Sequence, residues 1–241
     1  FDLSRVLADA GAHRERLRLD RLLLGYRGDG FAFSLGRQAL SWGNGLVFAP
    51  MDLLNPFAPT ATDRDFKPGD DMALAQWQFE GGGDLQVVGV LRRNGDGRRA
   101  GSAASEAARW QQPLGTAEVS VLVARHQRDE VVGLGLSVPV ADSVVRGDWV
   151  LTRLQGGGTA GSLVLNADRS FELAGHNLYT YLELYRNGFG RGDTPSAIAT
   201  LPRALAARLA RGEVFTLSRW YVAWGDRKST RLNSSHTVIS Y

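Results

Sequence analysis

Apolar and polar positions alternate along most of this chain with a period of two, in runs that come in pairs separated by short polar or glycine-rich breaks. LDRLLLGY and FAFSLGRQALSW flank Gly28-Asp29-Gly30; MALAQWQF and DLQVVGVL flank Gly81-Gly82-Gly83; AEVSVLVARH and EVVGLGLSV flank Gln127 to Asp129. A period of two belongs to a β-strand, whose successive side chains point to opposite faces, and not to a helix. One face of each run holds Leu, Val, Phe and Trp, while the other mixes Ala, Gly and Ser with Gln, Glu, Arg and Asp. SVVRGDWVLTRL, GSLVLNADRSF, NLYTYLELYRNGFG and EVFTLSRWYVAW continue the pattern, giving about ten candidate strands. Soluble sandwich strands are commonly about five or six residues long, whereas several runs here reach the roughly 9–11 residues that a tilted strand needs to cross a bilayer. The expected fold class is therefore all-β: an antiparallel, up-and-down transmembrane β-barrel, only part of it present.

Two long connections, Gly43 to Asp71 and Arg92 to Gly115, both follow an even-numbered strand. That is the outer-membrane arrangement of short turns at one end and long loops at the other. A third, Asn187 to Gly212, follows the ninth strand in this count and breaks the regularity. Within it, TLPRALAARLARG predicts a short helix over about residues 201–211. Thr200 can cap it, Pro202 suits its first turn, Gly212 can end it, and Leu201, Leu205 and Leu209 form one stripe. It would be a lumenal plug, a periplasmic contact or a helix packed on a barrel rim.

The first long connection has its own logic. Gly43, Gly45, Pro50, Pro56 and Pro59 forbid a continuing strand, and Phe48, Met51, Leu53, Leu54 and Phe57 are too apolar for an open loop. Such a segment folds against the barrel wall or into the lumen. Its charges, Asp52, Asp63, Arg64, Asp65, Lys67, Asp70 and Asp71, would then belong to a constriction loop that sets pore selectivity, or to an ordinary folded extracellular rim.

Strand parity sorts the remaining polar residues. With Val145, Gly147, Trp149 and Leu151 toward lipid, Arg146, Asp148 and Thr152 face the lumen. With Leu178, Leu182 and Leu184 outward, Tyr179, Tyr181, Glu183 and Tyr185 face inward, and Ser162, Asn166, Asp168, Glu118, Ser120, Gln76, Gln78 and Gln86 follow by the same rule. The expected pore lining is Gln76, Gln78, Gln86, Glu118, Arg146, Asp148, Asn166, Asp168, Tyr181 and Glu183. Arg37 breaks parity by sharing the face of Phe31, Phe33 and Leu35, which is tolerable only beyond the hydrocarbon edge or after a bulge; Arg219 is ambiguous.

Composition narrows the alternatives. The chain has no cysteine, which excludes disulfides and thiolate metal sites, and no run of 18 apolar residues, which excludes a helical span. His13, His126 and His176 have no neighbour at metal-ligand spacing, and neither a GxSxG elbow nor a GxxxxGK[ST] phosphate loop occurs. We therefore expect no enzyme, no metal and no cofactor.

The segment GRQALSWGNGLVFAPMDLLNPFAPTATDRDFKPGDDM, Gly36 to Met72, resembles the diagnostic block of a largely uncharacterised family of Gram-negative outer-membrane β-barrels of porin type. The GRQ at Gly36 to Gln38 is similar to alginate-export and carbohydrate porins. LDRLLLGYRGD, LYRNGFG and LARGEVFTLSRWYVA extend the resemblance over most of Leu17 to Ala223. It implies a barrel, a signal peptide in the complete protein and residence in the outer membrane, and it names no catalytic residue. Asp226 to Tyr241, DRKSTRLNSSHTVISY, resembles the forward translation of a common short-read sequencing adapter. Residues 1–225 are thus expected to be a partial barrel domain and 226–241 a non-native tail. A first residue of Phe, with no Met and no leader, suggests that the chain is truncated at both ends. Without Arg227, Lys228, Arg231 and Asp226, 25 basic residues face 24 acidic ones, so the charge gives no argument for nucleic acid. The expected partners are outer-membrane lipid and a small hydrophilic solute, in a porin-like channel of unassigned oligomeric state. A non-conducting scaffold or assembly barrel, and a soluble β-barrel or sandwich binding domain, are the alternatives.

Overall fold

Twelve antiparallel strands pair strictly with their sequence neighbours in a single up-and-down sheet. The computed structural model describes residues 4–10, 13–56, 67, 69–92, 103–173, 175–192, 201–228 and 234–240. β1 (Ser4–Ala10) and β2 (His13–Arg18) form a separate hairpin. The main sheet runs through β3 (Leu22–Gly28), β4 (Phe31–Gln38), β5 (Asp70–Gln78), β6 (Asp84–Val90), β7 (Ser105–Leu114), β8 (Ala117–His126), β9 (Asp129–Val140), β10 (Ser143–Arg153), β11 (Thr159–Leu173), β12 (His176–Arg186), β13 (Trp220–Lys228) and β14 (Ser234–Ser240). The sheet is open, with β3 and β14 at its edges. One helix, α1 (Arg203–Arg211), lies between β12 and β13. The class is all-β with a single short helix.

β7 corrects the strand count. Ser105–Leu114 lies inside what the sequence suggests is one long connection, because Arg109, Gln111, Gln112 and Pro113 dilute the apolar alternation. With it counted, residues 39–69, 91–104, 127–128, 154–158 and 187–219 all join strands at one end of the sheet. Residues 29–30, 79–83, 115–116 and 141–142 turn at the other. The helical insertion then follows an even-numbered strand of the sheet, and the irregularity disappears.

Asp70 and Asp71 also move: both open β5. Asp71 accepts from Arg37 Nε at 2.9 Å and Asp70 from Arg92 Nη2 at 2.6 Å. Arg37 does face outward with Phe33 and Leu35, one residue before β4 ends, and Asp71 is its register partner. The division expected at Gly225 falls within β13, which continues to Lys228 and pairs with β14.

Burial follows parity with its usual sense reversed. On β9, Glu130, Val132, Leu134 and Leu136 are exposed while Asp129, Val131, Gly133 and Gly135 are buried. On β12, Leu182 and Leu184 are exposed while Glu183 is fully buried. Large apolar side chains face out along the whole sheet, among them Trp77, Trp110, Trp149 and Trp224. What the inner face packs against is the chain's own first loop. Trp42, Met51 and Leu54 join Met72, Val88, Val90, Leu122, Val131 and Val150 in one cluster, and Phe48 joins Tyr185, Tyr221 and Val164 in another.

Candidate functional site: the inner face and its folded loop

The loop after β4 crosses the inner face from β5 to β13 and is held there by acids that strand parity aims inward. Asp148 on β10 takes both the Asn44 backbone N–H and the Asn44 side-chain amide, each at 2.7 Å. Glu183 on β12 takes three successive backbone amides, Leu46 at 2.5 Å, Val47 at 3.0 Å and Phe48 at 2.7 Å. Asn166 on β11 bridges them, donating to the Asn44 carbonyl at 3.0 Å and to Glu183 Oε2 at 3.2 Å. A buried backbone segment must have its polar groups satisfied, and this one uses carboxylates from strands more than a hundred residues away in sequence. Asp148 and Glu183 are both 0 % exposed. Several donors converge on each carboxyl group, which offsets part of the cost of burying it.

The loop also closes on itself. Asp52 Oδ1 receives the Trp42 and Gly43 amides at 2.6 and 2.9 Å, and Lys67 pairs with Asp52 while donating to Ser41 Oγ at 2.6 Å. Trp42 Nε1 donates to Gln86 Oε1 at 2.7 Å, and Phe48 stacks on Tyr185 with centroids 4.7 Å apart. Room for this close approach comes from two inner-face glycines. A Cβ on Gly135 would stand 2.9 Å from Asn44 Nδ2 and 2.4 Å from Ser120 Oγ; one on Gly133 would meet Leu122 Cβ at 3.2 Å and Met51 Cε at 3.5 Å.

The helical insertion docks at the long-loop end. Pro202 precedes α1 without a side-chain cap, Gly212 ends it in the left-handed conformation, and Leu205 is fully buried. Thr200, the expected cap, lies outside the described residues. Arg208 pairs with Asp129 and stacks 4.0 Å over Phe189. Glu213 takes Arg211 Nε at 2.6 Å, Gln127 Nε2 at 2.6 Å and lies 3.2 Å from His126 Nε2. Burial opposes its charge, yet the His126 imidazole and the Arg211 guanidinium beside it hold the carboxyl down at about 2. His126 Nδ1 is 2.9 Å from Ser105 Oγ. Ser105, His126 and Glu213 thus form a hydroxyl, imidazole and carboxylate in line. Ser105 is only 1 % exposed, however, and its Oγ accepts from Arg92 Nη1 at 2.8 Å, so a substrate carbonyl has no access to it. The line ties the strands to the insertion. A cavity of about 90 Å³ lies between the loop tip, the insertion and the sheet, lined in part by His126, Thr152, Tyr185, Arg208 and Glu213. It has room for several water molecules.

The expected pore lining therefore divides. Asp148, Asn166, Glu183 and Tyr181 face inward but are buried, the first three by the loop that they anchor. Gln86 is shared between Trp42 and Asp84, and Gln76 also donates to Asp84. Gln78 and Glu118 are exposed toward the short-turn end, and Arg146 pairs with Asp168. Of the expected loop charges, Asp52 and Lys67 lie in the loop, Asp70 and Asp71 in β5, and Asp63, Arg64 and Asp65 outside the described residues. Sequence reasoning missed Arg109, on the inner face of β7 opposite Gln86 and Leu122. It also missed the cluster of Ser105, Asp129, Arg208 and Glu213, whose members converge only when the insertion folds back. Among the described residues no three metal-ligating side chains gather, and no helix is long and apolar enough to span a membrane. No protein-family model matches this chain, and neither does any curated protein.

Proposed function

We propose that this protein is a porin-like channel of a Gram-negative outer membrane, passing small hydrophilic solutes by passive diffusion along the inner face of a closed barrel. The observation on which this rests is the inverted partition of side chains: large apolar groups outside, carboxylates and amides inside. A water-soluble sandwich would cover that outer face with a second sheet. A lipid-facing sheet has no such need.

The outer face supports the same reading in detail. Across β7 to β10, Glu106, Arg125, Glu130 and Arg153 stand in register as a row of alternating charge near the long-loop end. Below Glu130, the outward residues of β9 from Val132 to Val140 are all apolar. At about 3.4 Å per residue and a tilt of about 40°, that stretch is about 21 Å tall, close to the roughly 25 Å band of an outer-membrane barrel. The charged row would then sit at the headgroup level, where ionised side chains cost little. In lipid the edges β3 and β14 must be paired, since unsatisfied backbone groups there cost several kcal/mol each.

A second reading, a barrel that scaffolds another component and conducts little, draws on the loop itself. Met51 is 0 % exposed and Phe48 stacks on Tyr185, so the loop fills part of the path. Planar-bilayer conductance of the complete native gene product, refolded in detergent, separates the two. Discrete, stable channels support the porin reading. Silence from protein that circular dichroism shows to be folded β-structure overturns it in favour of the scaffold.

A further inference from the structure

We propose that the inner face on the short-turn side of the loop holds a binding site for small zwitterions, in which Arg109 takes the solute carboxylate while Asp84 and Glu118 take its ammonium group. This rests on the reading of the inner face as a solute path.

Arg109 is distinctive among the inward guanidinium groups. Arg146 is paired with Asp168, Arg208 with Asp129 and Arg92 with Asp70. Arg109 has no carboxylate within ion-pair distance among the described residues, and its buried Nε has no hydrogen-bond acceptor. The residue is only half-buried, so the rest of its guanidinium group, a cation without a paired carboxylate, favours a ligand that supplies the negative charge. Four carboxylates act on it through space: Asp84, Glu118, Asp148 and Asp52. Asp148 and Asp52 are occupied by the loop, as described above. Asp84 is a diagonal inner-face neighbour, since its register partner on β7 is Gln111, which puts the two side chains about 7–8 Å apart at their bases. Both amides that reach Asp84, from Gln76 and Gln86, go to Oδ2, and this leaves Oδ1 for a solute. Glu118 is exposed on the same face.

The charges select the ligand class. A simple anion would meet Arg109 but also two carboxylates, and a simple cation would meet the reverse. A molecule with both signs finds a partner for each, and Gln111 on the same face provides further hydrogen bonds.

The test is calorimetric titration of the detergent-refolded protein with β-alanine, propionate, propylammonium and glycerol. The expected result is saturable binding of β-alanine, at least about tenfold tighter than the other three. Arg109→Gln should abolish the heat and Glu118→Gln weaken it, with Arg153→Gln on the outer face as an unaltered control. Equal binding of propionate, no binding of β-alanine, or an Arg109→Gln variant that binds as wild type would each overturn the proposal. A protein that binds β-alanine without conducting would sink the porin reading and leave this site standing. One that conducts without binding would do the opposite.

Discussion

Removing the Glu183 carboxylate should release the loop from the inner face. Glu183→Ala deprives the Leu46, Val47 and Phe48 amides of their acceptor and leaves Asn166 with one partner fewer. If the loop stayed in place, three buried amides would be orphaned at about 1–3 kcal/mol each, or about 3–9 kcal/mol together. Opposing this is the apolar burial that docking provides at this end, chiefly Phe48 and Met51, worth about 3–6 kcal/mol on the usual scale for large side chains. The two terms are comparable, so the segment around 44–48 should open to water and leave the strands intact. Amide hydrogen exchange of the refolded protein in detergent reads this directly. The Leu46, Val47 and Phe48 amides should exchange at least about a hundredfold faster, equivalent to about 2.7 kcal/mol of lost protection. Leu184→Ala, next along the strand but outward-facing, should leave them unchanged. Exchange at Val47 and Phe48 within about threefold of wild type in Glu183→Ala would refute the reasoning, since that is under 1 kcal/mol and would mean that apolar packing alone holds the loop.

Three other outcomes follow from the same geometry. Gly135→Val should displace Asn44 and mimic loss of the Asp148 contacts, because even a Cβ there approaches Asn44 Nδ2 to 2.9 Å; Gly133→Ala should be milder, and exchange at the Asn44 amide ranks the two. On the outer face, Leu136→Arg, at the middle of the apolar stretch of β9, should cost about 2–4 kcal/mol in lipid-vesicle unfolding, whereas Val132→Arg, next to the charged row, should cost about 0–1; equal costs would remove the band assignment. The Glu213 carboxyl, held at about 2, stabilises docking of the insertion at any pH above its ordinary value of 4.5 and loses that contribution as pH falls toward 2. Protection of α1 amides should thus be flat from pH 7 to 5 and decline below 4.5, and Glu213→Gln should abolish the decline.

Alternation made most of the sheet legible, because a strand with one large apolar face and one polar, small-residue face encodes both in its period. β7 escaped because its inward residues include Arg109 and Gln111 and its outward ones include Glu106 and Gln112, so neither face is cleanly apolar. Only cross-strand pairing with β6 and β8 defines it. Parity aimed Asp148, Asn166 and Glu183 inward correctly, yet it could not reveal their loop partners, which are backbone amides for the two acids and the Asn44 carbonyl for Asn166, 104 to 137 residues distant. The apolar content of residues 42–54 did signal a loop with somewhere to pack. Nothing local in the sequence marks Gly133 and Gly135 as the place, since glycine in a strand is as readily a bulge or a bend.

The loop changes what the inward acids of this sheet can do. Inward acids in a barrel are commonly read as contacts for solute, but an acid can face solute only if nothing else claims it. Here the loop brings donors of its own: its amides between Asn44 and Phe48 lie on a sheet whose own backbone groups are already paired, beside the inward rings of Tyr185 and Tyr221. The acids beneath are therefore structural, and they select the loop's path as the glycines select its height. The inward polar groups that the loop does not claim include Arg109, Asp84, Glu118 and the Arg146–Asp168 pair. Any selectivity this inner face imposes should thus respond to those residues directly. Asp148 and Glu183 would affect it only through the position of the loop.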